Sequence, residues 1–155
     1  MSYKYAAQNV DPEITAKALG RDVPVKPKFG INVAKAIRGK QVAAARLYLE
    51  NVVAMKQAVP FRVHKTNIKH RKGGMGPGKY PVAVAAAMLR ILNDAASNAE
   101  YKGLDPDKMR IWHVVTHMAR PLPGSMPRAQ GRATQWNKQV SHIEIVLKNE
   151  EEKEE

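Results

Sequence analysis

The chain has 155 residues, with 26 Lys and Arg against 14 Asp and Glu, a net charge of +12 and an isoelectric point near 10.0. A chain of this length can bury roughly 70% of its unfolded surface, and 44% hydrophobic with 26% charged residues is a globular balance, not a disordered one. Without cysteine there is no disulfide framework, thiol nucleophile or cysteine zinc site, and no run of about 18 apolar residues is present to span a membrane.

The first five residues, Met1-Ser2-Tyr3-Lys4-Tyr5, are not followed by an apolar stretch suited to secretion, so a cytoplasmic chain is expected. Residues 1–12 read as a loose or partner-ordered arm. Residues 14–25 include a strand, weakened by Gly20 and Pro24. Residues 27–38 read as a short helix stopped by Gly39, with Ile31, Ala34 and Ile37 as its apolar stripe and Lys35 and Arg38 off it. A second helix runs from 41 to about 56, with Ala45, Tyr48, Leu49 and Val52 on the buried face and Arg46 four residues before Glu50 on the outside.

Residues 61–80 read as a long loop centred on His70-Arg71-Lys72-Gly73-Gly74-Met75-Gly76-Pro77-Gly78-Lys79. Glycines among Lys and Arg suit phosphate contact through both amides and side chains; a flexible basic linker has the same composition. It lacks the G-x-x-x-x-G-K-[ST] order of a P-loop. Residues 81–101 form the strongest helix, with Pro81 at its first position and Ala85, Met88, Leu89, Leu92, Ala95, Ala96 and Ala99 as its core stripe. The period then changes to two. Ile111, His113, Val115 and His117 alternate with Trp112, Val114 and Thr116; later Ile143, Ile145 and Leu147 alternate with His142, Glu144 and Val146. Between these strands lies the turn-like Pro121-Leu122-Pro123-Gly124-Ser125-Met126-Pro127. If the arms pair up to that turn, each spans ~50 Å, against a radius of gyration of ~15 Å for a compact domain of this length. The distal hairpin therefore projects, and being marginal alone it needs a partner along its length.

Charge distribution points to that partner. The tail 150–155 holds five Glu and one Lys, which leaves 25 basic and 9 acidic side chains in residues 1–149, a net of +16. Stretches 23–49, 51–93 and 108–143 contain no acid at all. Single-sign stretches of this kind repel themselves and imply a polyanion, most commonly nucleic acid. An anionic membrane would call for a basic amphipathic helix with large exposed apolar residues, which the sequence does not offer. The tail cannot bury apolar area and is expected to be dispensable for folding.

Several separated motifs now stand in one order. Pro127-Arg128-Ala129-Gln130-Gly131-Arg132-Ala133 followed by Ser141-His142-Ile143-Glu144-Ile145 resembles the signature of the universal large-subunit ribosomal protein twenty-two family. Ile37-Arg38-Gly39-Lys40 and Ser97-Asn98-Ala99-Glu100 resemble its helical motifs, and the insert from Val59-Pro60-Phe61 to Gly78-Lys79-Tyr80-Pro81 resembles its archaeal and eukaryotic branch. The resemblance covers about 16–148. It implies an α+β fold: a small domain of about three helices on a three-stranded antiparallel sheet, with a long protruding β-hairpin. It also implies one domain over 1–155, with a basic loop at 57–80, a hairpin at about 110–147 and the acidic tail at 150–155. The implied role is a structural constituent of the large ribosomal subunit that binds several domains of rRNA and supports assembly. The hairpin would line the nascent-peptide tunnel, and the globular part would sit near the tunnel exit. Partners would be rRNA, neighbouring ribosomal proteins and the nascent chain, with no membrane, small-molecule substrate or cofactor.

The expected rRNA-binding residues are Lys35, Arg38, Lys40, Lys65, Lys69, His70, Arg71, Lys72, Lys79, Arg120, Arg128, Gln130, Arg132, Trp136 and Lys138. Pro121, Leu122, Pro123, Gly124, Ser125 and Met126 are expected to form the tunnel-lining tip. Arg forks suit phosphates and exposed bases. Trp136 suits stacking on a base or covering the facing strand. His113 and His117 share a strand face but lack an evident third metal ligand, so sheet packing or RNA contact is the better reading; His64 and His70 suit phosphate. The acids are too dispersed for a metal-dependent nuclease, so no catalytic residue is expected. The other binding-class reading is a free-standing RNA or DNA chaperone, which would not co-sediment with large subunits at high salt.

Overall fold

In the computed structural model, which describes residues 4–8 and 10–149, three strands form an antiparallel sheet in the order β1-β8-β5. They are β1 (Thr15–Val23), β5 (Met109–Met118) and β8 (Ser141–Asn149). The acidic tail lies outside the described residues. Gly20 falls at an irregularity in the β1–β8 register and Pro24 just past the strand, so neither interrupts the pairing before it.

β8 is the central strand and is buried on both sides from Ile143 to Leu147. Ile143, Ile145 and Leu147 enter the core as their alternation predicts. Glu144 and Val146, on the opposite face, are fully buried too. The N-terminal segment is not loose there: the Ala6 amide donates to Glu144 Oε2 at 2.9 Å, and Ala7 is buried.

β5 carries a bulge. Ile111 faces Leu147 and His113 faces Val146, leaving Trp112 without a partner. An extra residue flips every later side chain to the other face. Met109 and Ile111 are therefore followed into the core side by Val114 and Thr116, while His113, Val115 and His117 lie half-buried opposite. The expected unbroken alternation of Ile111, His113, Val115 and His117 with Trp112, Val114 and Thr116 is corrected by this bulge, which puts Ile111 on the face opposite His113, Val115 and His117.

Helices α1 (Pro27–Ile37), α2 (Val42–Val53) and α3 (Val82–Tyr101) cover the other side. α3 packs on β1 and β8, α1 on β5, and α2 on α3. The α3 stripe is buried as expected except for Leu89, which is half-buried; Val84 and Ile91 complete it. Pro81 occupies the cap position before the first helical residue. In α1 the buried stripe is Val33, Ala34 and Ile37, with Ile31 only half-buried. Gly30 allows this helix to touch the sheet: a Cβ there would sit 2.6 Å from Thr116 Cγ2. The expected Arg46–Glu50 pair is absent among the described residues, and the Arg46 Nε is buried without a partner.

The expected loop at 61–80 is a built structure. β2 (Val59–Pro60), β3 (His70–Arg71) and β4 (Gly76–Lys79) form a miniature sheet in the order β2-β4-β3. Buried Asn32 anchors it to α1. Its amide donates to Lys28 O and Val63 O at 2.9 Å, and its oxygen accepts from the Arg62 and Val63 amides at 3.1 Å. Phe61 is buried, with its ring edge-on to Phe29 at 5.5 Å.

Beyond Met118 and Ser141 the two arms stay paired as a ribbon. Ala119 N donates to Val140 O, Leu122 and Lys138 exchange two bonds of 2.9 Å, and β6 (Ser125–Pro127) pairs with β7 (Ala133–Gln135). Every residue from 120 to 139 is exposed except Met126, which is half-buried. At the rise of a strand, this reaches about 30 Å past the three-stranded sheet.

Candidate nucleic-acid interface

The basic residues fall into two groups, one on the helical domain and one on the ribbon. On the domain, Lys35 from α1 and Lys40 from the α1–α2 turn line a groove of ≈ 620 Å³ with Arg62 from the insert. Its walls include Ala36, Ala58, Pro60 and Met75. Lys40 Nζ stands 5.2 Å above the ring of Tyr48, which also lines the groove. Burial pushes the Tyr48 phenol above its ordinary value.

A second groove of ≈ 560 Å³ lies beside the first and is lined by Lys56, His70, Arg71 and Lys72, with Tyr80 at its edge. Arg71 is braced: Nε donates to Gly78 O at 3.2 Å, and its guanidinium lies 5.1 Å from the Tyr80 ring. All lining residues of both grooves come from 32–80, where Glu50 is the sole acid, and Glu50 lines neither. Both grooves are therefore rimmed by positive charge alone, an arrangement that attracts polyanions.

The structure thus gathers Lys35, Lys40, His70, Arg71 and Lys72 with Lys56 and Arg62, two cations not singled out from the sequence. Their signal was present, since both lie in the acid-free stretch 51–93. Lys65 and Lys69 are exposed on the insert but line neither groove. Lys79 is half-buried, with Nζ 5.3 Å from the Phe29 ring. Arg38 serves the fold, since its Nη2 donates to Val114 O at 2.8 Å and ties the end of α1 to β5. His64 is exposed with a positive φ of 54°.

On the other side of the sheet, His117 Nε2 lies 3.4 Å from Glu144 Oε1. His113 is held below its ordinary value chiefly by burial, with Arg38 and His117 adding to the shift and Glu144 opposing it. Among the described residues no group of three or more His, Asp or Glu could hold a metal ion.

The ribbon turns at 128–132. Arg128 N donates to Arg132 O at 2.8 Å, and Gln130 and Gly131 take positive φ of 61° and 67°. Two successive left-handed residues reverse the chain there, a conformation glycine adopts without strain. This corrects the position of the expected tip. Pro121, Leu122, Pro123, Gly124, Ser125 and Met126 lie along the outgoing arm, because the fixed φ of proline suits an extended arm as well as a turn. Gly124 is pinned there, accepting from Trp136 N at 2.7 Å; a Cβ on it would come 2.5 Å from the Trp136 carbonyl oxygen.

Arg128 and Arg132 line a concavity of ≈ 460 Å³ at the apex, and Arg132 Nη2 donates to Gln130 Oε1 at 3.3 Å. Arg120 and Lys138 are exposed along the arms, and Trp136 is 56% exposed. The ribbon offers cations, one open indole and no carboxylate.

Comparison with known proteins adds an independent line. The family model described as ribosomal protein L22p/L17e matches residues 18–148. The chain is 46% identical to the large ribosomal subunit protein uL22 of Methanococcoides burtonii, over 93% of this chain and 95% of that one. It is 44% identical to the protein of the same name from Methanocaldococcus jannaschii, over 93% of each. With that of Thermofilum pendens the identity is 37%, over 97% of this chain and 99% of the relative.

Proposed function

The chain belongs to the ribosomal protein L22p/L17e family, and on that premise we propose that it binds large-subunit rRNA through its two basic grooves and its arginine-tipped ribbon. It is a structural constituent of the large ribosomal subunit, of the archaeal type, and its family is a family of structural proteins and not of enzymes. In this proposal 1–155 is one domain that includes the insert 57–80, the hairpin of about 110–147, whose outer part beyond Met118 and Ser141 projects, and the acidic 150–155. Lys35, Lys40, His70, Arg71 and Lys72 take phosphates on the domain, and Lys65, Lys69 and Lys79 extend that surface. Arg38 contributes what its bond to Val114 leaves free.

The ribbon follows rRNA inward along the peptide tunnel while the domain stays near the exit. With the apex at 128–132, Arg128, Gln130 and Arg132 lead. Pro121, Leu122, Pro123, Gly124, Ser125 and Met126 flank the lumen from the arm, and Arg120, Trp136 and Lys138 hold the opposite side to RNA. Contacts with several rRNA domains, neighbouring ribosomal proteins and the nascent chain follow from that placement, as does a part in subunit assembly in the cytoplasm.

The observation that carries this reading is the ribbon itself: a paired, exposed, acid-free extension with no core of its own. Such an element is marginal in water and gains its order from a partner. The test is a filter-binding titration of the full chain on deproteinised large-subunit rRNA. With six or more phosphate contacts, affinity falls ~1,000-fold or more between about 50 and 200 mM salt. A flat salt response overturns the proposal.

A further inference from the structure

Met75 belongs neither to the hydrophobic core nor to the residues packed against it. It is half-buried, and it lines both basic grooves, as do Gln57 and Ala58. Cations lie on either side: Lys35, Lys40 and Arg62 in one groove, Lys56, Arg71 and Lys72 in the other. Two features of the chain set where this one side chain sits. Gly73, Gly74 and Gly76 take φ of 87°, 70° and 74°, so left-handed glycines on both sides of Met75 shape the turn that carries it. Gly78 then gives it a seat, since a Cβ there would meet Met75 Sδ at 3.1 Å and Arg71 Cγ at 2.8 Å.

An unbranched apolar side chain fixed between two cationic grooves has no core to fill. We propose that Met75 is a wedge that inserts between two successive unpaired bases of the bound RNA, with the flanking phosphates carried in the two grooves. The proposal rests on the rRNA-binding reading above and specifies what that face takes. A duplex presents phosphates outward with its bases stacked, and cations alone would suffice for it. A single strand offers unstacked base faces, which proteins recognise by stacking. Apolar side chains, methionine among them, separate base steps in bent nucleic acids, and a thioether makes favourable contact with aromatic rings.

The experiment uses the full chain and deproteinised large-subunit rRNA, with chemical probing of unpaired bases at single-nucleotide resolution. The parent is expected to alter the reactivity of two adjacent unpaired nucleotides. Met75→Ala should restore their free-RNA reactivity and weaken binding about 10-fold, as loss of one stacked base does. Its salt slope should match the parent's, because no phosphate contact is removed. Met75→Leu should retain the parent's pattern. If Met75→Ala gives the parent's probing pattern and affinity, the wedge is wrong while groove binding stands. If Lys35→Glu with Arg71→Glu also binds like the parent, both the wedge and the groove reading fail.

Discussion

The same two arms of chain build the inner sheet and the outer ribbon, yet the two regions differ in nearly everything except backbone pairing. Between Met109 and Met118, β5 has a helix layer on one side and the partly covered outer face on the other; between 120 and 139 only Met126 is even half-buried. Hydrogen-bond ladders are present in both, so the ladder is not what distinguishes them. Burial is. Each core side chain is worth about 1.5–3 kcal/mol when removed from water, and the ribbon has almost none of this. The inner half is held by burial of its own side chains, whereas the outer half has its ladder and its continuity with the sheet.

Four changes would break or sharpen this contrast. Leu92 is fully buried in the α3 stripe, so Leu92→Asp places an unpaired charge in the core. The cost of several kcal/mol is comparable with the whole stability of a domain, and thermal unfolding should show no cooperative transition. Reversing Arg128 and Arg132 to Glu should leave the melting temperature unchanged, since both are exposed at the apex. The same double variant should bind rRNA at least 10-fold more weakly, through loss of charge-assisted contacts and gain of repulsion. A large drop in melting temperature would make the ribbon part of the core.

Gly131→Val is a smaller perturbation. It forces a β-branched residue to φ near 67°, a local strain of about 1–2 kcal/mol. Hydrogen exchange at the Arg128 amide should quicken while the global melting temperature holds. The smallest effect is expected from pH. His113 titrates below its ordinary 6.5 in the folded state, so between those two values the unfolded chain binds more protons. The stability it contributes is complete above about pH 6.5 and declines as pH falls below that. His113→Gln should flatten the dependence of melting temperature on pH between 7 and 5. The ribbon has no histidine from 119 to 140, so its apex should be indifferent over the same range.

Long, strongly periodic segments were the legible part of the fold. α3 could be read because twenty residues repeat one pattern, and β5 and β8 because their period changes to two. Which strand lies in the middle was not legible. Glu144 reads as solvent-facing, and the docking of the N-terminal segment, 138 residues away in sequence, together with His117 beside it, covers it. The bulge at Trp112 was hidden because it changes pairing, not composition. Two-residue strands such as His70–Arg71 carry no alternation, so the insert read as a loop. The apex was misplaced because prolines signal turns more loudly than Gln130-Gly131, where the chain turns. For the grooves, charge was legible and grouping was not: Lys40 and Arg62 become neighbours only once Asn32 clamps the insert to α1.

The position of β8 has a consequence for the order of events during synthesis. Among the described residues it is the last element of the chain, yet it is the middle strand of the sheet. β1 and β5 do not pair with each other and have no sheet partner until 141–149 has been made. From the completion of β5 at Met118 until 141–149 has been made, the chain holds two unpaired strands and a helix layer with no floor, the state most exposed to wrong pairing. Thr15 must then meet Lys148 across nearly the whole chain. Closing so long a loop is slow, so completion of the sheet is expected late. A stop or frameshift within 141–149 would therefore remove the keystone of the sheet, and with it the platform from which the ribbon projects.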